Sequence, residues 1–321
     1  MTTTSIDGQA TRSFEGVFHA ICENVGRAVR GKDEVIELTV TCLISHGHLL
    51  LEDVPGVGKT SLAKALARSV RGEFGRVQFT PDLLPSDVLG TSVWNQHDGS
   101  FQFRPGPVFS HLLLGDEINR ASPKTQSALL ESMAEEQVTV DGSTYQLPRP
   151  FMVIATQNPL EHQGTFPLPE SQLDRFLMKL SIGYPGREDE LALLQESDHD
   201  GVLEALQPVA TAADILAMSA AAQKVHVADS LTSYLVDLAE RSRRSPLLDL
   251  GMSPRAALGL LRAARVLAAS QGRGYVTPDD LKYLAVPVLA HRVVVATDAR
   301  LSGVGAGEAI DELVRATPVP A

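Results

Sequence analysis

A short loop that combines glycines with a lysine and a threonine has the residue types needed to bind phosphate. Residues Val54–Thr60 read Val-Pro-Gly-Val-Gly-Lys-Thr, after an apolar run and before a helical pattern. Gly56 and Gly58 let the backbone N–H groups turn toward a phosphate, and the following helix adds the positive end of its dipole. Lys59 would reach the β- and γ-phosphates, and the Thr60 hydroxyl would ligate Mg²⁺. The alternative is a glycine-rich turn with an exposed lysine.

A second apolar run ends in two carboxylates that suit the same site. Leu112–Gly115 leads directly into Asp116 and Glu117. On a strand beside the phosphate loop, Asp116 would lie near Mg²⁺ and Glu117 near the water that attacks the γ-phosphate. Hydrolysis needs both, because one carboxylate binds the metal and another orients or deprotonates the nucleophile. Taken alone, such a pair could simply cap the next helix. Asp53 departs from the G-x-x-x-x-G-K-[ST] pattern, since it occupies the first glycine position.

Three further polar residues stand where they could reach the phosphates. Asn158 follows the apolar run Phe151–Ala155 and could help to hold the attacking water. Arg175 precedes another apolar run, and Arg255 follows Ser253-Pro254. That dipeptide predicts a helix start, because serine is a favourable N-cap and proline suits the first helical position. Taken singly, Asn158 could belong to a turn, and either arginine could form a surface ion pair.

These residues need a scaffold that brings strand ends together. Helical spacing over Phe14–His46 predicts two helices separated at Arg30-Gly31-Lys32. Turn signals predict hairpins at Thr91–Arg104, around Asp98-Gly99, and at Gln137–Gln146. Near-continuous apolar runs between helical segments indicate an α/β fold with a parallel sheet covered on both faces. The predicted strands are His48–Leu51, Val77–Thr80, His111–Leu114, Phe151–Ala155 and Leu177–Ile182.

The pattern changes after Tyr184-Pro185-Gly186-Arg187. The rest of the chain is rich in alanine and leucine at helical spacing, and we expect no strand there. The predicted organisation is a disordered tail at 1–13, an α/β nucleotide-binding domain at 14–184 and a helical domain at 185–321. The predicted helices of the second domain are Leu191–Glu196, Ala213–Lys224, Leu231–Arg243, Arg255–Ala269 and Asp279–Ala290.

Composition narrows the classes of function. The chain has 321 residues, 44% of them hydrophobic, which corresponds to roughly two domains. Its formal net charge of −11 argues against broad binding to nucleic acid or anionic membranes, although a local basic patch is compatible with it. The two cysteines, Cys22 and Cys42, fit a reducing compartment. Met1–Phe14 lacks a signal-peptide pattern, and Val35–Leu51 is too short and too polar to span a membrane. We therefore expect a soluble cytoplasmic protein.

Taken together, these motifs resemble the AAA+ ATPases, and specifically the MoxR family. The resemblance covers nearly the whole chain from about Val25 to the C-terminal helices. Its most specific stretches are Leu50–Thr60, Asp116–Glu131 and Ala155–Phe176. It implies an AAA+ P-loop domain with a parallel sheet and β-hairpin insertions, followed by an all-α lid. The Glu-Asp-Val-Pro-Gly sequence is usual for this family, so the resemblance accommodates Asp53.

The resemblance also implies roles for individual residues. Asp116 and Glu117 match the Walker B motif, Asn158 sensor 1, Arg175 the arginine finger and Arg255 sensor 2. The metal ligands would be Thr60 and Asp116, and the cofactors ATP and Mg²⁺. The implied nucleotide-binding residues are Arg30 and Gly31 near the adenine, with Pro55, Gly56, Val57, Gly58, Lys59, Thr60 and Ser61 of the Walker A loop.

Family members are similar to chaperone-like remodelling machines that work as hexameric rings. They often act with a von Willebrand A domain protein, and in some cases they help to activate metalloenzymes. The sequence thus predicts Mg²⁺-dependent ATP hydrolysis that acts on a protein client. A nucleic-acid motor is an alternative, but the two hairpins carry only Arg104 as a basic residue, and a motor would offer cations to phosphates. The same motifs also leave open a magnesium-chelatase-like motor subunit and a scaffold that binds nucleotide without hydrolysis.

Overall fold

The structure is a computed structural model that describes residues 13–97, 99–159, 164–195 and 199–319. Apart from Ser13, the predicted tail at 1–13 lies outside the described residues. Ser13 is the N-cap residue of the first helix, and its Oγ accepts a hydrogen bond from the Gly16 N–H at 3.1 Å. The elements of the first part, in chain order, are α1 (Phe14–Gly26), α2 (Asp33–Ile44), β1 (Leu49–Glu52), α3 (Lys59–Ser69), β2 (Phe74–Gln78), α4 (Pro85–Leu89), β3 (Gly90–Asn95), β4 (Ser100–Pro105), β5 (Leu112–Asp116), α5 (Pro123–Glu135), β6 (Gln137–Val140), β7 (Ser143–Gln146), β8 (Met152–Gln157), α6 (Glu170–Leu173) and β9 (Met178–Leu180).

A parallel sheet of five strands, in the order β2-β5-β8-β1-β9, forms the centre of this part. All adjacent pairs are parallel, which confirms the predicted α/β architecture. Strands β1, β5 and β8 are almost wholly buried, and their near-continuous apolar sequences follow from that burial. The edge strand β2 begins at Phe74, earlier than the predicted Val77, because only part of an edge strand needs to be apolar.

Both predicted hairpins are confirmed. Strands β3 and β4 pair antiparallel from Gly90 to Pro105, and β6 and β7 pair from Gln137 to Gln146. Of the predicted Asp98-Gly99 turn, Asp98 lies outside the described residues. The two hairpins contact each other, since the rings of Phe103 and Tyr145 stack with centroids 4.0 Å apart.

The second part of the chain is helical, with one exception to the prediction. A short antiparallel strand pair occurs where none was expected, and segments of two or three residues are too short to carry an alternating pattern. Leu180 ends the sheet and Arg187 begins the next helix, and the proposed boundary near residue 184 lies in this connection. The elements are α7 (Arg187–Gln195), α8 (His199–Ala205), α9 (Ala212–Ala222), α10 (Asp229–Arg244), β10 (Leu248–Leu250), α11 (Pro254–Ser270), α12 (Pro278–Leu289), β11 (Val294–Val295), α13 (Thr297–Leu301) and α14 (Ala306–Ala316), with a short 3-10 helix at Ala290–Arg292.

The two faces of the sheet pack against different partners. Leu49 and Leu51 belong to a core that includes α1, α2 and the lid residues Leu260 and Leu284, whereas Leu50 belongs to a second core with α5. Strands β5 and β8 show the same alternation, as successive side chains of a strand point to opposite faces. The lid therefore shares a hydrophobic core with one face of the sheet. No helix in the described ranges is both long and apolar enough to cross a membrane.

Candidate active site

The phosphate loop connects the end of β1 to the start of α3. Gly58, the N-cap residue of α3, has φ 94°, and Gly56 has φ 85°. Glycine adopts these left-handed values without the steric cost that a side chain brings. A Cβ atom built on either glycine would meet no other atom within 4 Å. The loop thus borders open space next to the N-terminus of α3, where a phosphate fits.

Lys59 is the first residue of α3, and its side chain folds back over the loop. Its Nζ donates hydrogen bonds to the carbonyl oxygens of Asp53 at 2.7 Å and Val54 at 3.2 Å. Burial lowers the pKa of Lys59, while the carboxylates of Asp53, Asp116 and Glu117 act in the opposite direction. The ammonium group therefore shares the electrostatic environment of the two predicted Walker B carboxylates, although loop carbonyls are its hydrogen-bond partners.

The other predicted loop residues line the same turn. Thr60 and Ser61 follow Lys59 in the first turn of α3 and are half-buried. Pro55 is exposed, whereas Val57 is half-buried and packs against the hydrophobic core. None of the predicted Walker A residues from Pro55 to Ser61 is fully buried, which is compatible with a nucleotide site.

Asp53, the departure from the usual loop pattern, has a structural role. The residue is buried, and its Oδ2 accepts hydrogen bonds from the Ser181 hydroxyl at 3.0 Å, from the Ile182 N–H and from the Gly183 N–H at 2.9 Å. These donors belong to the segment that leads from β9 to the lid. A glycine could accept none of these bonds through a side chain. Asp53 therefore ties the phosphate loop to the connection between sheet and lid.

Asp116 ends β5 and forms an ion pair that the sequence did not predict. Arg76 of β2 donates to Asp116 Oδ2 from Nε at 2.9 Å and from Nη2 at 2.8 Å. The opposite oxygen, Oδ1, accepts a longer bond from the Thr156 hydroxyl at 3.4 Å. The Asp116 side chain is nearly buried while Arg76 is half-exposed. A metal at Asp116 would therefore compete with Arg76 for Oδ2, whereas, within the described part of the chain, Oδ1 accepts only the longer hydrogen bond from Thr156.

Glu117 has a backbone conformation that is unfavourable for a residue with a side chain. Its φ of 56° and ψ of 51° lie in the left-handed region, and its N–H donates to Thr156 Oγ1 at 2.9 Å. Such a conformation costs about 1 to 3 kcal/mol and is found preferentially at functional sites. The carboxylate accepts hydrogen bonds from Gln78 Nε2 at 2.8 Å and from Arg120 Nη1 at 2.9 Å. Glu117 is thus held at the strand end by its backbone and its side chain.

The register of the sheet brings these groups together. In β8, Thr156 is level with Leu51 of β1, and β8 also pairs in parallel with β5. The carboxyl ends of the three strands therefore reach the same edge of the sheet. Asn158 is buried directly after β8, at the edge where Asp116 and Glu117 follow β5. The predicted sensor 1 residue thus stands at the same sheet edge as the predicted Walker B residues.

The two predicted arginines stand on either side of a contact between the sheet part and the lid. Arg175 is half-buried and follows α6, whereas Arg255 is exposed in the first turn of α11. Ser253, which caps α11, donates from Oγ to Asp174 Oδ1 at 3.3 Å. Among the described residues, the Arg175 side chain makes no hydrogen bond or ion pair.

The predicted adenine segment lies against the lid. Gly31 has φ 67°, and the three atoms nearest to a Cβ built there belong to the Asp189 carboxylate of α7. Lys32 donates from Nζ to the Tyr184 carbonyl oxygen at 2.7 Å. Arg30 beside them is half-buried. The structure thus places this segment at the connection from sheet to lid, and the predicted contact with adenine stays a prediction.

Sequence reasoning missed the residues that hold the carboxylates: Arg76, Gln78, Arg120 and Thr156. The sequence contains a local indication for Arg76 and Gln78. They are separated by one residue and therefore project from the same face of β2. Their partners lie about 40 residues away in the chain, and no motif connects them.

The described residues fit a nucleotide with a divalent cation. The glycines border open space at a helix N-terminus, and Asp116 and Glu117 lie at the strand ends. No group of three or more metal-ligating side chains occurs among the described residues. Mg²⁺ is usually held by one or two protein ligands together with substrate phosphates.

A phosphate loop, paired strand-end carboxylates and a helical lid define a P-loop ATPase of the AAA class. The family described as "ATPase family associated with various cellular activities (AAA)" matches residues 48–178, and the "AAA lid domain" matches residues 240–313. The chain is 47% identical to YeaC of Bacillus subtilis over 93% of each chain. It is 41% identical to Chaperone MoxR1 of Mycobacterium tuberculosis, over 92% of this chain and 80% of that protein.

A solved structure from Cytophaga hutchinsonii, assigned as an ATPase, is similar over 96% of each chain, with a TM-score of 0.89 and 38% identity. The chain therefore belongs to the MoxR family of AAA+ ATPases, and it is an ATP hydrolase. The predicted fold class, an AAA+ domain followed by a helical lid, is confirmed.

Asp53→Gly, which restores the common loop pattern, should destabilise the protein. It removes the acceptor of three hydrogen bonds and leaves the buried Ile182 N–H unpaired, so we expect the free energy of unfolding to fall by at least about 2 kcal/mol. Chemical denaturation measures this. Asp82→Gly, at an exposed aspartate, serves as the control and should cost less than about 1 kcal/mol. Equal effects of the two changes would contradict the role given to Asp53.

Proposed function

We propose that the chain hydrolyses ATP with Mg²⁺ at the carboxyl edge of its parallel sheet. One observation carries the proposal: the positive-φ glycines of the phosphate loop and the carboxylates that follow β5 lie at the same edge of one sheet. The site thus offers N–H donors for phosphate, a carboxylate for a metal and a second carboxylate for water.

The phosphate loop would hold the nucleotide. Backbone N–H groups at the start of α3 would donate to the phosphate oxygens, and Lys59 would exchange its loop carbonyls for the β- and γ-phosphates. Thr60 and Asp116 would ligate Mg²⁺, which supplies positive charge that neutralises the phosphates when bound. Arg30 and Gly31 would contact the adenine beside the lid.

Glu117 and its neighbours would act on the attacking water. Glu117 would orient the water and accept its proton, and Asn158 would fix the water's second hydrogen-bonding position. Arg255 would add a cation near the γ-phosphate from the lid. Because Gln78 and Arg120 hold the Glu117 carboxylate, its bond to one or both must be exchanged for the water before hydrolysis.

Glu117→Gln and Lys59→Ala should separate binding from hydrolysis. Glutamine keeps the size of the side chain but accepts no proton, so Glu117→Gln should bind ATP nearly normally and slow turnover at least about 10²-fold. Lys59→Ala should weaken ATP binding, since it removes the cation of the phosphate loop. Isothermal titration and steady-state ATPase assays measure both. Wild-type turnover in Glu117→Gln would rule out the role given to Glu117.

The active site would be shared between subunits of a ring, which we propose to be a hexamer. The support is Arg175: it lies just before β9, the last strand of the sheet, and its side chain makes no hydrogen bond or ion pair to the described residues of its own chain. A guanidinium supplied by a neighbour can stabilise the charge on the γ-phosphate oxygens without obstructing nucleotide exchange.

Arg175→Ala should therefore bind ATP yet hydrolyse it roughly 10³-fold or more slowly, as expected for loss of an arginine finger. Mixing it with Lys59→Ala subunits should restore part of the activity, because some interfaces then join an intact phosphate loop to an intact finger. Size-exclusion chromatography with differently tagged subunits must show mixed rings. Inactive mixed rings would contradict a role for Arg175 in the neighbouring site.

The client would be a protein, and the action chaperone-like. The support is the β3–β4 hairpin, where Trp94 and Phe101 face each other with ring centroids 5.1 Å apart and are 51% and 71% exposed. An exposed aromatic pair suits apolar segments of an unfolded chain. Arg104 is the only Lys or Arg of the hairpin, so contacts to nucleic-acid phosphates would be few.

The family resemblance narrows the classes of partner to test first. We propose a von Willebrand A domain protein as the adaptor and a metalloenzyme as the activated client. The chain would act in the cytoplasm, which agrees with its free cysteines Cys22 and Cys42.

Trp94→Ala combined with Phe101→Ala should abolish most of the ATPase stimulation by an unfolded protein. A reduced and alkylated protein without stable structure serves as the probe, and the rate of ATP turnover is the measurement. Leu301→Ala, at a residue 82% exposed on the lid, is the matched control and should retain the stimulation. Stimulation by single-stranded DNA at moderate salt, with nanomolar binding, would favour the nucleic-acid motor instead.

A further inference from the structure

Residues of the lid donate hydrogen bonds to backbone carbonyl oxygens on both sides of Arg175. Arg292 donates from Nη2 to the carbonyl oxygens of Asp174 at 3.3 Å and Phe176 at 2.7 Å. His291 bonds through Nε2 to the same Phe176 carbonyl at 2.9 Å. The predicted arginine finger therefore stands between two residues whose backbone is bound by the lid.

A second element of the lid reaches the same segment. Ser253, the N-cap of α11, donates to the Asp174 carboxylate at 3.3 Å, and Arg292 Nε lies 3.5 Å from that carboxylate. We name Ser253, His291 and Arg292 the lid clamp. Its members come from the start of α11 and from the 3-10 helix after α12, so two lid elements meet at the finger segment.

Burial of the Arg292 guanidinium carries a desolvation cost. Its side chain is only 3% exposed, and its Nη1 has no hydrogen-bond partner among the described residues. Burial lowers the pKa of Arg292 to about 10, against the attraction of Asp174, so the group stays charged near pH 7. Replacing a buried ion pair by apolar residues is often neutral or stabilising. The guanidinium donates to two carbonyl oxygens, which an apolar residue of similar size could not do.

The side chain of Arg175 contrasts with its flanks. The flanking residues are fixed by the lid clamp and by the burial of Phe176, whereas the Arg175 side chain makes no hydrogen bond or ion pair to the described part of its own chain. The Cα atom of Arg175 is therefore held in place, while its guanidinium is not bound by any described residue of its own chain. This is the geometry required of a group that acts on a neighbouring subunit.

We propose that Arg292, supported by His291, is a positioning residue that fixes Arg175 for its action in the neighbouring subunit. The orientation of the lid then determines where the finger of the same chain points. This inference rests on the proposed role of Arg175 and goes beyond it, because it makes the lid of one subunit govern hydrolysis in the next. A purely structural Arg292 would instead affect its own subunit.

Complementation between subunits tests the inference. Arg292→Met removes the donors and the charge while keeping an apolar side chain of similar length. We expect ATP binding within about twofold of wild type, kcat at least tenfold lower and KM little changed. Mixing with Lys59→Ala subunits should restore part of the activity, because those subunits supply well-held fingers to intact phosphate loops.

Two further variants keep the test decisive. Arg273→Met breaks another ion pair of the lid, to Asp280 at 2.6 Å. Among the described residues, the hydrogen-bond partners of this pair all lie in the lid, so the variant should retain kcat within about twofold. His291→Leu removes a single donor and should lower kcat about threefold, again with recovery on mixing. It serves where Arg292→Met does not fold.

The outcomes separate the inference from the proposed function. Recovery of both Arg175→Ala and Arg292→Met on mixing supports the inference. If Arg175→Ala recovers on mixing but Arg292→Met does not, the inference is overturned and the shared site still stands. Near-normal kcat in both Arg292→Met and His291→Leu would also overturn the inference and leave the shared site standing. If Arg175→Ala itself does not recover in mixed rings, the shared site fails and the inference fails with it.

Discussion

The hydrogen-bonded position of β8 between β1 and β5 is the constraint on which the site depends. Parallel pairing on both sides fixes the level of three strand ends, so the phosphate loop, Asn158 and the carboxylates after β5 share one edge. Burial keeps these three strands inside the sheet, since they carry apolar residues on both faces. Thr156 of β8 adds a direct link, as its hydroxyl bonds to both Asp116 and the Glu117 backbone.

Charge at this edge is balanced by the neighbouring edge strand. Two carboxylates and one lysine ammonium lie close together, and β2 supplies Arg76 to one carboxylate and Gln78 to the other. Charge-assisted bonds of this kind are stronger than neutral ones, yet half-exposed partners can exchange them for a ligand. Strand β2 leads through α4 into the aromatic hairpin, so the strand that holds the carboxylates is also connected to the surface proposed for the client.

Local patterns in the sequence were sufficient for much of this architecture. The phosphate loop, the strand-end carboxylates and both hairpins could be predicted because each depends on residues close together in the chain. Arg76 and Arg292 could not, since their partners are 40 or more residues away and periodicity carries no information about such pairs. The strand pair β10–β11 was missed for another reason, because segments this short have no pattern of their own. Asp53 departs visibly from the common phosphate-loop pattern, but its structural role could not be predicted because its hydrogen-bond donors are residues 181–183.

Two buried side chains, Asp53 and Arg292, connect the sheet to the lid. Asp53 lies beside the proposed phosphate loop, and Arg292 lies beside the proposed arginine finger. Asp53 binds the connection to the lid beside the phosphate loop, through three donors on one oxygen. Arg292 binds from the lid to the segment around Arg175, through two carbonyl oxygens. If the loop holds nucleotide and Arg175 acts on the next subunit, as proposed above, a change in lid orientation at one of these contacts would be transmitted to the other. A rigid helical lid sharing a core with the sheet is well suited to carry that displacement, because close-packed interiors transmit strain rather than absorb it.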